Sequence, residues 1–326
     1  MDSMSSLKVL RLDFHSFLRI VLLGFLSLMG CVSAGSPAKI DVSNSPELVG
    51  RGDYLVNHVV GCVVCHSQRD WRYFSGPLKT DEKGGGGKIY DESNGFPGHL
   101  RAANITPSVL GDWSDGDIAH AIVAGVDKNG DALFPVMPYP YFRSLCRDDV
   151  QAIVSYIRTL TAIPETRHAR RLNFPLNIIV NTIPQKWESP DCPDSNNELA
   201  YGKYLTEIAF CASCHTPTSG GKADPSRYFS GGREFIVPGV VGKVRSSNLT
   251  PHETGLGAWS RARFIGRFKA FEQPEVFSQP LPVGSFNTEM PWHMYAGLSE
   301  ADLGAIYVFL TTLQPIENKV ETWSHP

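Results

Sequence analysis

Two pentapeptides carry the most specific chemistry in this chain: Cys62-Val63-Val64-Cys65-His66 and Cys211-Ala212-Ser213-Cys214-His215. Four cysteines in two pairs could build an all-cysteine zinc site, and a C-x-x-C pair alone could be a redox dithiol. The histidine directly after each pair argues for a third chemistry. On a helix, residues i, i+3 and i+4 share one face. Two cysteines one turn apart can therefore bond both vinyl groups of one haem, with the next histidine beneath its iron. C-x-x-C-H is the pattern of covalent haem attachment. Two copies imply two haem c groups, one on Cys62, Cys65 and His66, the other on Cys211, Cys214 and His215.

An iron held by one histidine needs a sixth ligand or keeps an open site, and that choice separates electron carriers from catalysts. Beyond the first 30 residues there are three methionines, Met137, Met290 and Met294. Met137 lies in FPVMPYPYF and Met290 in NTEMPWHMY, each followed by a proline that stiffens a loop. Methionine is also a common core filler. Scarcity and matched position make Met137 and Met290 the candidate sixth ligands. Met294 and His293 compete with Met290 for the second iron, and a histidine there would lower the potential. Arg101 and Arg245 could bind haem propionates by paired hydrogen bonds, or simply be surface charges. Trp113 and Trp259 could donate an indole N–H to a propionate, or fill a core. His58, His99, His120, His168 and His252 have no counterpart in the other copy and read as structural.

The elements that hold these residues come as a long internal repeat. Gly52-Asp53-Tyr54-Leu55 matches Gly202-Lys203-Tyr204-Leu205. Arg72-Tyr73-Phe74-Ser75-Gly76 matches Arg227-Tyr228-Phe229-Ser230-Gly231. Asn104-Ile105-Thr106-Pro107 matches Asn248-Leu249-Thr250-Pro251, and Trp113-Ser114 matches Trp259-Ser260. Near each end, Asp149-Val150 matches Asp302-Leu303. The repeat defines two domains, 47–165 and 195–316, a linker 166–194 and a tail 317–326. Each copy reads as mainly α: a helix running into the motif, another after Ser114 or Ser260 as N-cap, and a closing helix capped by Cys146 or Ser299. Strand patterning is weak, with short bridges expected near Phe235–Val241. The linker, with its apolar NFPLNIIVNTIPQKW, is expected to pack over the domain surfaces. A disulfide between Cys146 and Cys192 would suit an oxidising compartment.

The chain of 326 residues is 42% hydrophobic with a formal charge of −3, so it can bury two cores and shows no basic footprint for nucleic acid. Its first 34 residues read as an export signal: Lys8, Arg11 and Arg19 precede the apolar Ile20–Met29. Val32-Ser33-Ala34 suits ordinary cleavage. Leu28-Met29-Gly30-Cys31 resembles a lipoprotein box that would leave a lipidated Cys31.

The run RAANITPSVLGDWSDGDIAHAIVAGVDKNGDALFPVMPYPYFRSLCRDDVQAIVSYIRTL resembles the cytochrome c subunits of bacterial membrane-bound alcohol and gluconate dehydrogenases, and LNFPLNI resembles their inter-domain segment. The resemblance implies two tandem class I cytochrome c folds, each wrapped around one haem. It implies His66/Met137 and His215/Met290 ligation. It also implies periplasmic electron transfer between a dehydrogenase or quinol and a cytochrome, quinone or terminal oxidase. Those subunits usually carry three motifs; this chain has two. The competing class is a dihaem enzyme, either a cytochrome c peroxidase with an open site or a thiosulfate dehydrogenase with a cysteine ligand.

Overall fold

The structure is a computed structural model describing residues 34–37, 39–40, 42–164, 170–219 and 222–324. The signal segment, Cys31 and His168 lie outside the described residues. The described chain is mostly helical, and no helix in it is long and apolar enough to cross a membrane.

The first unit opens with the helix Pro46–Tyr54. Ser45 caps it by accepting the Leu48 N–H, and proline occupies the first turn, where its missing donor costs nothing. The helix widens into a π-type turn, Leu55–Val59, closed by Val60 N–H on the Leu55 carbonyl at 2.8 Å. Gly61, at φ +69°, then redirects the chain into the motif helix Cys62–His66. The closing helix Arg147–Thr159 starts from Cys146, with Asp148 and Asp149 in its first turn, where acidic groups favour the helix dipole. It buries Val150, Ile153, Val154 and Ile157. Opening and closing helices cross at Gly52. A Cβ there would lie 1.9 Å from the Ala152 carbonyl oxygen, so only glycine permits this approach.

The second unit repeats the plan. Its opening helix is Glu198–Ile208, its motif helix Cys211–His215 and its closing helix Glu300–Thr311. The crossing falls at Gly202, where a Cβ would lie 1.9 Å from the Ala305 carbonyl oxygen. The expected serine caps are present: Ser114 forms a capping box with Asp117, and Ser260 and Ser299 cap their helices, while Cys146 takes the N-cap position with its sulfur in a disulfide and no side-chain cap bond.

Each unit carries a small three-stranded antiparallel sheet. In the first, Gly98–Arg101 lies between Ile89–Tyr90 and Arg171–Leu172. In the second, Lys243–Arg245 lies between Glu234–Phe235 and Trp323–Ser324. The start of the linker and the residues read as a tail are therefore matched outer strands. The rest of the linker packs down, with the Trp187 indole donating to the Leu145 carbonyl at 3.0 Å and Cys192 bonded to Cys146.

Backbone hydrogen bonds correct one part of the repeat. Gly86 N–H donates to the His66 carbonyl, and Gly231 to that of His215. Gly84 N–H binds the Ser67 hydroxyl, and Phe229 that of Thr216. Gly87 pairs with Ala102 as Gly232 does with Ser246. Phe229-Ser230-Gly231-Gly232 is thus equivalent to Gly84–Gly87, not to Phe74-Ser75-Gly76. The first unit's hairpin after its motif is longer, and its Ser75 tip reaches across to the second unit.

The units meet through reciprocal contacts. Tyr54 of the first donates to Asp302 of the second at 2.5 Å, and Tyr204 of the second donates to Asp149 of the first at 2.6 Å. These are the repeat-matched tyrosines and aspartates.

Candidate functional site

Both motifs sit on single-turn helices that follow a left-handed residue, Gly61 at φ +69° or Phe210 at φ +43°. One turn places the two cysteines on the same side, as thioether bonds to one macrocycle require. Burial pushes the Cys62 and Cys211 thiols up to about 12 and Cys214 up to about 11, and raises Cys65 too. Without a partner that stabilises the thiolate enough to offset burial, each is held as the neutral thiol. Among the described residues the one grouping of three metal-capable side chains is Cys146, Asp149 and Cys192. Both its cysteines are in the disulfide. The four motif cysteines do not converge on a shared zinc site.

Each motif histidine is oriented in the same way. His66 Nδ1 lies 2.6 Å from the Ala103 carbonyl, and His215 Nδ1 lies 2.8 Å from the Ser247 carbonyl. A carbonyl only accepts, so Nδ1 carries the proton and Nε2 keeps its lone pair for a metal. Burial lowers both pKa values against the opposing effect of these bonds, which favours the neutral, ligating imidazole. The donors present suit haem c. The acceptors, Ala103 and Ser247, stand directly before the repeat-matched asparagines Asn104 and Asn248, each of which folds back on the threonine two residues on. Sequence matching found these turns but not their role in holding the histidines.

The two methionine loops have the same backbone. Tyr139 N–H donates to the Met137 carbonyl and Trp292 N–H to that of Met290. Phe142 bonds Pro138 as Tyr295 bonds Pro291. Met137 and Met290 are both partly buried against the core. By this register Met294 matches Tyr141, and each touches the other unit's motif. A Cβ on Gly61 would meet Met294 Sδ at 2.4 Å, while Tyr141 hydrogen-bonds Ser213. The Met294 sulfur thus packs on Gly61, at the entrance to the first unit's motif helix. His293 matches Pro140 and is also turned to the first unit, where Arg69 and His58 lie near it.

The proposed propionate partners differ. The Trp113 indole N–H is buried with no protein partner, as an unfilled donor to a carboxylate would be. Trp259 lies under the Arg263 guanidinium at 4.4 Å. Arg245 is engaged with Glu234 at 3.0 Å and with the Ser324 hydroxyl at 3.1 Å. Arg101 ends the central strand of its sheet, opposite Ile89.

No protein-family model matches the chain. The chain is 28% identical over 296 residues to the gluconate 2-dehydrogenase cytochrome c subunit of Pantoea cypripedii, covering 85% of this chain and 62% of that protein. It is 25% identical over 285 residues to the cytochrome c subunit of the quinone-dependent alcohol dehydrogenase of Gluconobacter oxydans, covering 82% of this chain and 55% of that one. A dihaem c-type cytochrome of Cereibacter sphaeroides is 27% identical over 215 residues, covering 63% of this chain and 68% of its own. The chain spans little more than half the length of the two dehydrogenase subunits. A cytochrome c carries covalently bound haem, and the likeness agrees with the donors found here. The resemblance read from the sequence stands: over most of its length the chain is similar to the cytochrome c subunits of sugar and alcohol dehydrogenases.

Proposed function

We propose that the chain is a periplasmic dihaem c-type cytochrome, built as two tandem class I domains, each wrapped around one haem. Cys62, Cys65 and His66 hold the first haem and Cys211, Cys214 and His215 the second. Met137 and Met290 would supply the sixth ligands. Trp113 and Arg101 would serve the first haem's propionates, and Trp259 and Arg245 those of the second. When bound, each haem supplies a one-electron iron couple. The protein holds each motif imidazole in one tautomer and links the two units through a close interface. Electrons pass from a dehydrogenase or quinol to a downstream cytochrome, quinone or oxidase. A lipidated Cys31 or a membrane complex would keep the protein at the membrane.

The observation that carries this reading is the matched pair of histidines, each fixed at Nδ1 by the carbonyl before an Asn-x-Thr turn. The enzyme reading that uses a cysteine ligand finds less support, because Cys146, the cysteine nearest a ligand loop, is bonded to Cys192. The test is the oxidised haem-loaded protein. Methionine–iron ligation gives a weak far-red band, and Met137→Ala and Met290→Ala should each remove about half of it. A high-spin haem in the wild type, or rapid reaction with peroxide, would overturn the carrier in favour of an enzyme.

A further inference from the structure

We propose that the first unit positions the sixth ligand of the second haem, and that Ser75 is the positioning residue. This rests on Met290 being that ligand. Ser75 is fully buried at the tip of the first unit's long hairpin, held at φ +60°. Its hydroxyl donates to the Met290 carbonyl at 2.7 Å and accepts the Trp292 N–H at 2.9 Å. One hydroxyl thus clamps the turn Met290-Pro291-Trp292 that leaves the methionine, using its donor and acceptor together.

The grip is itself braced. Ser75 N–H donates to Asn287 Oδ1 at 2.7 Å, and Asn287, 2% exposed, donates back to the Trp71 and Tyr73 carbonyls at 3.3 and 3.2 Å. Glu289, one residue before the ligand, pairs with Arg69 at 3.0 Å and Lys88 at 2.5 Å, both from the first unit. The Met137 loop is braced from within its own unit, by the Tyr139 hydroxyl on the Leu133 carbonyl. The Met137 loop also touches the second unit, through Tyr141 on Ser213, but that contact lies four residues beyond the methionine, whereas Ser75 holds the Met290 carbonyl itself. A thioether is a weak neutral ligand. Its loop must hold the sulfur on the metal, as outer partners do for other ligands.

The test uses the full haem-loaded chain. Ser75→Gly removes the hydroxyl while suiting the left-handed backbone. It should remove about half of the far-red band and lower one of the two haem potentials, as Met290→Ala does, leaving the Met137 contribution intact. A merely structural serine would change the melting temperature and leave band and potentials alone, and that result would overturn the proposal. Should Ser75→Gly fail to fold, Asn287→Ala decides by the same two outcomes. If Met290→Ala itself leaves the whole band, the ligand assignment falls first and the positioning role with it.

Discussion

His293 shows what burial does to a single side chain. Neither ring nitrogen has a partner, and desolvation, with Arg69 and His58 nearby, pushes its pKa down to about 3. Its ordinary value is about 6.5. Folding therefore favours the neutral ring. That stability is complete above pH about 6.5 and is lost as pH falls from there towards 3, at about 1.4 kcal/mol per unit. Urea midpoints should drop between pH 6.5 and 5, and His293→Leu should remove one proton's worth of that slope. His120, also lowered by burial, leaves a residual slope. An unchanged slope in the variant would show that His293 is solvated. The cysteines and histidines of the motifs were legible because covalent chemistry fixes their spacing. Ser75, Asn287 and Glu289 were not, because a hydroxyl, an amide and a carboxylate gain their roles only from partners far along the chain.

At the scale of elements, the two helix crossings make a matched prediction. Gly52→Ala and Gly202→Ala each force a methyl into a carbonyl oxygen, so the helices must part. Each should cost upwards of about 2 kcal/mol, by analogy with overpacked cores, read as a lower melting temperature. Equal melting temperatures would mean that the crossings yield freely. Reducing the Cys146–Cys192 bond, or replacing both residues with serine, should cost on the order of 3 kcal/mol and free the linker to proteolysis. The main helices and their serine caps could be read from the sequence, since capping residues act locally; the glycine crossings could not, since Gly52 and Gly202 meet Ala152 and Ala305 about 100 residues on. The hairpin register could not. Phe74-Ser75-Gly76 looks like Phe229-Ser230-Gly231, yet hydrogen bonds from Gly84 and Phe229 set the equivalence elsewhere. Likeness of side chains lost to the register of the backbone. The outer strands Arg171–Leu172 and Trp323–Ser324 were missed because two residues carry no periodicity.

For the whole molecule, the reciprocal tyrosine–aspartate bonds decide how firmly the units are joined. Tyr54→Phe strips Asp302, 9% exposed, of its hydroxyl donor and should cost about 2 kcal/mol. Tyr204→Phe should cost less, because Asp149 keeps both guanidinium bonds from Arg51. Paired chemical denaturation curves would check that order, and the reverse order would reassign the stronger bond. The sequence announced two units but not how they face each other, since pairing across units leaves no local pattern. Residue i of one half meets residue j of the other, and j meets i, which is the isologous geometry of a twofold homodimer. The two halves meet as the subunits of such a dimer would. The symmetry is broken where it touches the methionine turns: the Ser75 hydroxyl of the first half bonds the Met290 carbonyl of the second, so the two turns stand in unequal surroundings.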